Sequence, residues 1–185
     1  MYFILTHDIQ YEFHIRTPQI IFDGFSFMDG LRLPDRLTEE PFRYTTEAKA
    51  GDQLPDFCDS NIPVISNHLL SLLKGAGVDS IQTYRAEVVS LSDGTVWGNY
   101  SALNVTEMIS CADLSRSKYR ELFPGHYEFD SLAVDVSKTG GSLLFRLEES
   151  PGVILIHKSV GKYIGEHDPS KTLRGIHPKK VLCDF

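Results

Sequence analysis

Residues 84–103 read YRAEVVSLSDGTVWGNYSAL. Tyr84, Ala86 and Val88 alternate with Arg85, Glu87 and Val89, the period of two that sends successive side chains to opposite faces of a strand. Ser92-Asp93-Gly94 breaks the pattern. Asp-Gly is a strong hairpin signal because both residues tolerate the positive φ that tight hairpin turns require. The chain then returns through Val96, Trp97, Tyr100 and Leu103. Two strands joined this tightly must pair antiparallel. Trp97 is the only tryptophan, and its expected role is to anchor a sheet face.

Upstream, Ser60-Asn61 precedes Pro63, and Ile65, Leu69, Leu72 and Leu73 follow at helical spacing. This predicts a helix capped at Ser60 or Asn61, with Pro63 in its first turn, and with Leu69, Leu72 and Leu73 buried. Gly75 and Gly77 end it. His68 is expected beside this stripe, partly buried. Downstream, Leu132, Val134 and Val136 read as one strand, Lys138-Thr139-Gly140-Gly141 as a turn, and Leu143, Phe145 and Leu147 as the next strand. Pro151-Gly152 predicts another turn. The apolar run Val153–Ile156 predicts a strand buried on both faces. Ser159 is placed as the cap of a short helix carrying Val160, Tyr163 and Ile164, which His167-Asp168-Pro169 ends. At the other end of the chain, Tyr2–Thr6 reads as a strand. Residues to about 51 are otherwise irregular, with short buried pieces at Ile20-Ile21-Phe22 and Phe25-Ser26-Phe27 between Asp-Gly turns. The expectation is a single domain over 1–185, irregular over 1–51. Its class is α+β, a mostly antiparallel sheet with hairpins and a few helices packed against it.

The formal net charge is −7 over 185 residues. A nucleic-acid binder needs clustered Lys and Arg to displace counterions, so no nucleic-acid partner is expected. A basic protein partner fits the sign. Cys58, Cys111 and Cys183 are odd in number and far apart, which argues against a disulfide framework and for a reducing, cytoplasmic setting. No apolar run approaches the roughly 20 residues of a membrane span. The glycosylation-type triplets at Asn99 and Asn104 read as chance matches.

Several fragments imitate catalytic signatures. Ser115-Arg116-Ser117-Lys118 fits S-x-x-K, and Lys138-Thr139-Gly140 fits K-T-G. Serine hydrolases that use both set them in a far larger framework. Around Ser26, Met28 stands where a nucleophile elbow needs its second glycine. Lys74-Gly75-Ala76-Gly77 follows a helix, whereas a phosphate loop precedes one. The seven histidines, His7, His14, His68, His126, His157, His167 and His177, include no pair at H-x-H or H-x-x-x-H spacing. No catalytic residue, metal or cofactor is therefore expected. Asn104 and Asp113 are expected at strand ends with side chains accepting from backbone amides; the alternative is a pocket shared with Ser66.

Across residues 54–178 a series of short pieces occurs in order: Leu54-Pro55-Asp56-Phe57, Pro63-Val64-Ile65-Ser66, Leu103-Asn104-Val105, and Asp113 followed by Ser115 or Ser117. Phe145-Arg146, Val153–Ile156 and Arg174-Gly175-Ile176 complete it. In order and spacing this resembles bacterial immunity protein family eleven. The resemblance implies a cytoplasmic immunity factor of a polymorphic toxin system, used in interbacterial competition, which binds and neutralises a cognate toxin without catalysis. The rival readings are a small enzyme, which a deep pocket with converging polar groups would favour, and an accessory subunit, which a large exposed apolar patch would favour. The acidic residues Glu39, Glu40, Glu47, Asp52, Asp56 and Asp59 precede the main helix and are the candidates for contact with a basic toxin face.

Overall fold

The computed structural model describes residues 1–20 and 22–183. In chain order the strands and helices are β1 (Tyr2–His7), β2 (Phe42–Thr46), β3 (Phe57–Cys58), β4 (Val64–Ser66), α1 (Asn67–Gly75), β5 (Ile81–Ser90) and β6 (Val96–Val105). They continue with β7 (Met108–Ile109), β8 (Lys118–Phe123), β9 (His126–Ser131), β10 (Ala133–Val134) and a 3-10 turn at Val136–Lys138. The last are β11 (Leu144–Leu147), β12 (Ser150–His157), α2 (Lys158–His167), β13 (Ile176–Lys180) and β14 (Leu182–Cys183).

Two five-stranded sheets stack, one ordered β2-β5-β6-β4-β3 and the other β13-β1-β12-β11-β7. Pairing is mostly antiparallel; β2 with β5, β7 with β11 and β10 with β14 are parallel. The α+β class holds. The β5–β6 hairpin is the centre of the first sheet, with Tyr84 opposite Ala102 and Ala86 opposite Tyr100. At its turn the Asp93 carboxylate accepts from the amides of Ala50 and Thr95 at 2.9 and 3.0 Å. Those bonds hold its pKa well below the usual carboxylate range.

Three apolar layers follow from the alternation. One face of the first sheet, including Tyr44, Tyr84, Val88 and Tyr100, packs against Ile15, Phe27 and Leu33 from the segment between β1 and β2. Its other face meets the second sheet, with Ile65 and Leu103 in one core with Leu5, Leu144, Ile154 and Ile156. Leu69 and Leu73 of α1 and Val160 of α2 close that middle layer. The far face of the second sheet, with Tyr2, Phe145 and Leu155, packs against Cys111, Leu132 and Val134. Ile154 and Ile156 point into one layer and Leu155 into the other, as a run buried on both sides requires.

Several local expectations are corrected. Residues 64–66 are strand, and the helix begins at Asn67 with Ser66 as its cap. Val64 and Ile65 pair with Ala102 and Ser101, and the carbonyl of Pro63 accepts from the Leu103 amide at 2.8 Å. β-Branched residues with a partner strand available favour the sheet over a first helical turn. The Ser66 hydroxyl accepts from the Leu69 amide at 3.1 Å. Leu69, Leu72 and Leu73 are buried as expected, while His68 is exposed. Val136 leaves the strand path for the 3-10 turn, so only Ala133 and Val134 extend, beside Leu182 and Cys183. Pro151 and Gly152 lie inside β12, and Glu148-Glu149 make the turn. Pro151 is tolerated next to the register shift at Arg146/Leu147. The cap of α2 is His157, whose Nδ1 accepts from the Ser159 amide at 3.3 Å. Residues 42–46, read as irregular, form β2. Ile20 is exposed, Phe27 is buried, and Ile21 lies outside the described residues.

Candidate functional site

The six acidic candidates separate into two groups. Asp59 is used internally: it accepts from the Thr6 hydroxyl and the His7 amide, both at 2.7 Å, and meets His7 Nδ1. Asp56 accepts from the Ser66 hydroxyl and, at 2.7 Å, from the Arg174 amide. Its own amide donates to the Arg174 carbonyl at 2.9 Å. Asp59 thus ties the residues after β3 to β1, and Asp56 ties the start of α1 to the loop before β13. Glu39, Glu40 and Glu47 face solvent or its edge, Glu39 paired with Arg36 and Glu47 with Arg16. Asp52 accepts from the Lys49 amide at 2.7 Å in a turn.

The other singled-out residues do not converge. Asn104 is fully buried and donates to the Leu31 carbonyl at 2.8 Å and to Gln82 at 3.3 Å. It therefore serves a carbonyl, where an amide was expected. Asp113 behaves as expected, accepting from the Ser115 amide at 3.1 Å. Ser66 belongs to the separate network at the start of α1. Ser115 is exposed on that Asp113 turn, and Thr139 is buried against the Tyr2 hydroxyl at 3.0 Å. Among the described residues no three His, Cys, Asp or Glu side chains are grouped to hold a metal ion. Burial pushes the Cys58 thiol up to about 11, and it donates to the Ile15 carbonyl, so it is not a poised nucleophile.

Two features stand out instead, and sequence reading passed over both. The first is the β8–β9 hairpin, a two-stranded sheet apart from the other sheets. Every residue of β8 is exposed. Tyr119 is 42% exposed and Leu122 and Phe123 56% each, large values for residues that normally seek cover. Tyr119 packs edge-on against Tyr127 at 5.0 Å, and Phe123 stacks on His126 at 4.3 Å. The hairpin is anchored through β9: Phe129 packs on the core of the far layer, and, closer to the turn, the Tyr127 amide donates to the Glu149 carbonyl at 2.8 Å. Pro124-Gly125 between two aromatic-rich runs was the signal for it.

The second is a groove of about 640 Å³ between α2, α1 and the β1–β13 edge of the second sheet. Its floor is apolar, including Phe3, Leu5, Leu73, Ile164 and Leu173. Lys158, Lys162 and Lys171 line it. Gly161 and Gly165, one helical turn apart, form the α2 wall, and a Cβ at either would meet nothing within 4 Å. The loop after α2 is held by Asp168, which accepts from the Thr172 hydroxyl at 2.7 Å and the amides of Thr172 and Leu173 at 3.1 and 3.2 Å. Lys171 sits on this loop at φ 50°, the only non-glycine described with positive φ. Residues 158–180 carry six Lys or Arg against two Asp or Glu, a local reversal of the overall charge.

Compared with known proteins, the chain matches no family model and no curated protein. No described helix is long and apolar enough to cross a membrane.

Proposed function

We propose that this chain binds and neutralises a cognate bacterial toxin in the cytoplasm, without catalysis of its own, using the β8–β9 hairpin as its principal contact. The observation that carries the docking element is the exposed Tyr119, Leu122 and Phe123 on a hairpin whose second strand is fixed to the body of the protein. Aromatic residues on a preordered support make good interface anchors, because little freedom is lost when they are covered. The toxin as partner comes from the family resemblance. Net charge −7 favours a toxin with a basic face. Glu40 and Asp52, which form no ion pair among the described residues, are the acidic candidates best placed to act on it. Glu39 and Glu47 share their field with arginines, and Asp56 and Asp59 serve the fold.

The test mixes the purified chain with the product of the neighbouring toxin gene. A complex should form at micromolar concentration or tighter and should protect cells that express the toxin. Phe123→Asp should abolish it while the circular dichroism spectrum stays unchanged. Absence of a complex ends the immunity reading. A complex indifferent to Phe123→Asp and Leu122→Asp keeps immunity and removes the hairpin from it. The exposed tip also suits an accessory subunit, and stable self-association lost in Phe123→Asp would favour that reading.

A further inference from the structure

We propose that the groove beside α2 binds a small anionic amphiphile, a single alkyl chain ended by a carboxylate or phosphate, with its head group at the first turn of α2. This inference stands apart from the toxin reading and uses a different surface.

The size of the groove selects the class of occupant. About 640 Å³ falls within the range of roughly 300–1,000 Å³ typical of small-molecule sites. The wall is one helix of ten residues, about 15 Å long. A stable protein interface buries on the order of 1,000 Å² or more, which a groove of that length does not supply. The floor offers hydrocarbon contact from Phe3, Leu5, Ile164 and Leu173, so the body of the ligand is apolar.

The charge of the rim selects the head group. Lys158 and Lys162 stand in the first turns of α2, which has no acidic residue in its first turn. The helix dipole favours an anion at that end and disfavours cations, so Lys158, the first residue of the helix, is badly placed for the helix alone and well placed for a bound anion, with Lys162 one turn further on. Lys162 has Glu166 at 3.8 Å; Lys158 and Lys171 form no ion pair among the described residues. Lys171 follows the C-terminal end of α2 and so lines the other end of the groove, apart from the head-group position; it is held in a left-handed conformation, its amide donating to the Asp168 carbonyl at 2.9 Å and its carbonyl accepting from Arg174. Gly161 and Gly165 keep the wall clear. Close packing does not explain them, because nothing lies within 4 Å of where their Cβ atoms would be. After proline, glycine is the residue least suited to a helix interior, and here two of them border the space an alkyl chain would fill.

The experiment titrates the whole chain by calorimetry with dodecanoate, dodecyl phosphate and uncharged dodecanol below their aggregation limits. An acidic amphipathic peptide is titrated in parallel. Dodecanoate or dodecyl phosphate should bind at one site, and the ratio of their affinities tells which head group fits. Gly165→Leu and Gly161→Leu should abolish binding while the melting temperature stays the same or rises. The double variant Lys158→Ala, Lys162→Ala should weaken the anionic probes about tenfold and leave dodecanol unchanged. No saturable binding of either anion, or binding undiminished in both leucine variants, would overturn the proposal. So would dodecanol matching the anions in the native chain, or the peptide alone binding in the groove.

Discussion

The two large sheets are covered in opposite ways. The outer face of the first is sealed by the segment between β1 and β2, which has no regular structure and uses bulk. Ile15, Phe27 and Leu33 are buried there, and Phe13, Phe22, Phe25 and Leu37 pack around them. The backbone of that segment is satisfied by side chains reaching out of the hairpin. Gln82 clamps Leu33 through its amide and carbonyl at 2.9 and 2.8 Å, Asn104 takes the Leu31 carbonyl, and Tyr84 the Pro34 carbonyl at 2.8 Å. The inner face of the second sheet beside α1 is covered by α2, a regular helix, yet the cover stays open toward β1 and β13 because Gly161 and Gly165 form its wall. Regularity and closure are thus separate properties. A chain without period can seal a face if its apolar volume is large and its polar groups are met, and an ideal helix leaves a groove where its side chains are missing.

The largest effect is expected where the seal is tightest. Phe27 is 1% exposed and contacts Phe22, Phe42 and Tyr84 ring to ring. Phe27→Ala should cost about 3–5 kcal/mol, the range for a buried aromatic removed from a packed core, read as a lower urea midpoint at unchanged m-value. A loss under about 1 kcal/mol would mean that the segment is a loose wrap over the sheet.

Next comes the joint that fixes the loop on the open side. Gly175 has φ +65°, and a Cβ there would overlap Pro55. Its carbonyl accepts from the Asp8 amide at 2.9 Å. Gly175→Ala combines a left-handed backbone with steric overlap, so about 2–4 kcal/mol of stability should be lost. Thermal unfolding checks this; a variant as stable as the native chain would show that the loop relaxes freely, and the groove it borders would then have no fixed rim.

These contrasts explain what could be read from residues alone. The β5–β6 hairpin was legible because alternation and an Asp-Gly turn are local signals. The end of α1 was legible for the same reason, with Gly77 at φ +89°. Its start was not, because Val64 and Ile65 fit the apolar stripe of a helix equally well, and only the presence of β6 alongside decides for strand. The role of Asp56 was hidden because its partner Arg174 lies 118 residues away. The groove left a local trace, Lys158, Gly161, Lys162 and Gly165 in one amphipathic run, but glycine reads as a breaker until its neighbours are known. The hairpin at 118–131 was overshadowed by the S-x-x-K match that ends on its first residue.

A smaller effect of opposite sign should appear on the open face. Gly161 is exposed within α2 and has free space at its Cβ position. Gly161→Ala should raise stability by about 0.5–1 kcal/mol, the helix gain of alanine over glycine. Phe27→Ala and Gly161→Ala together should be additive, since the two sites belong to different layers. Destabilisation by Gly161→Ala would mean that the wall is already in contact with a neighbour, and the contrast between sealed and open faces would fail.

The smallest effect concerns the loop bordering the groove and depends on pH. Asp168 has its pKa held below the ordinary carboxylate value, chiefly by the Thr172 hydroxyl, then by the amides of Thr172 and Leu173 and by His68 nearby. Its unfolded pKa is the higher of the two. Its contribution is therefore complete above the ordinary carboxylate range and is lost as pH falls through the folded value, when the unfolded chain has already taken up the proton. Protonation weakens the acceptor that holds residues 172 and 173, so the loss should show first as local opening. Protection of the Thr172 and Leu173 amides, measured relative to their intrinsic exchange rates, should fall on acidification before that of the β5–β6 amides changes. In Asp168→Asn the same amides should already be less protected at neutral pH and lose little further protection in acid. Equal acid sensitivity in the native chain and the variant would assign the effect to other carboxylates and leave the loop held by Asp56 and Gly175 alone.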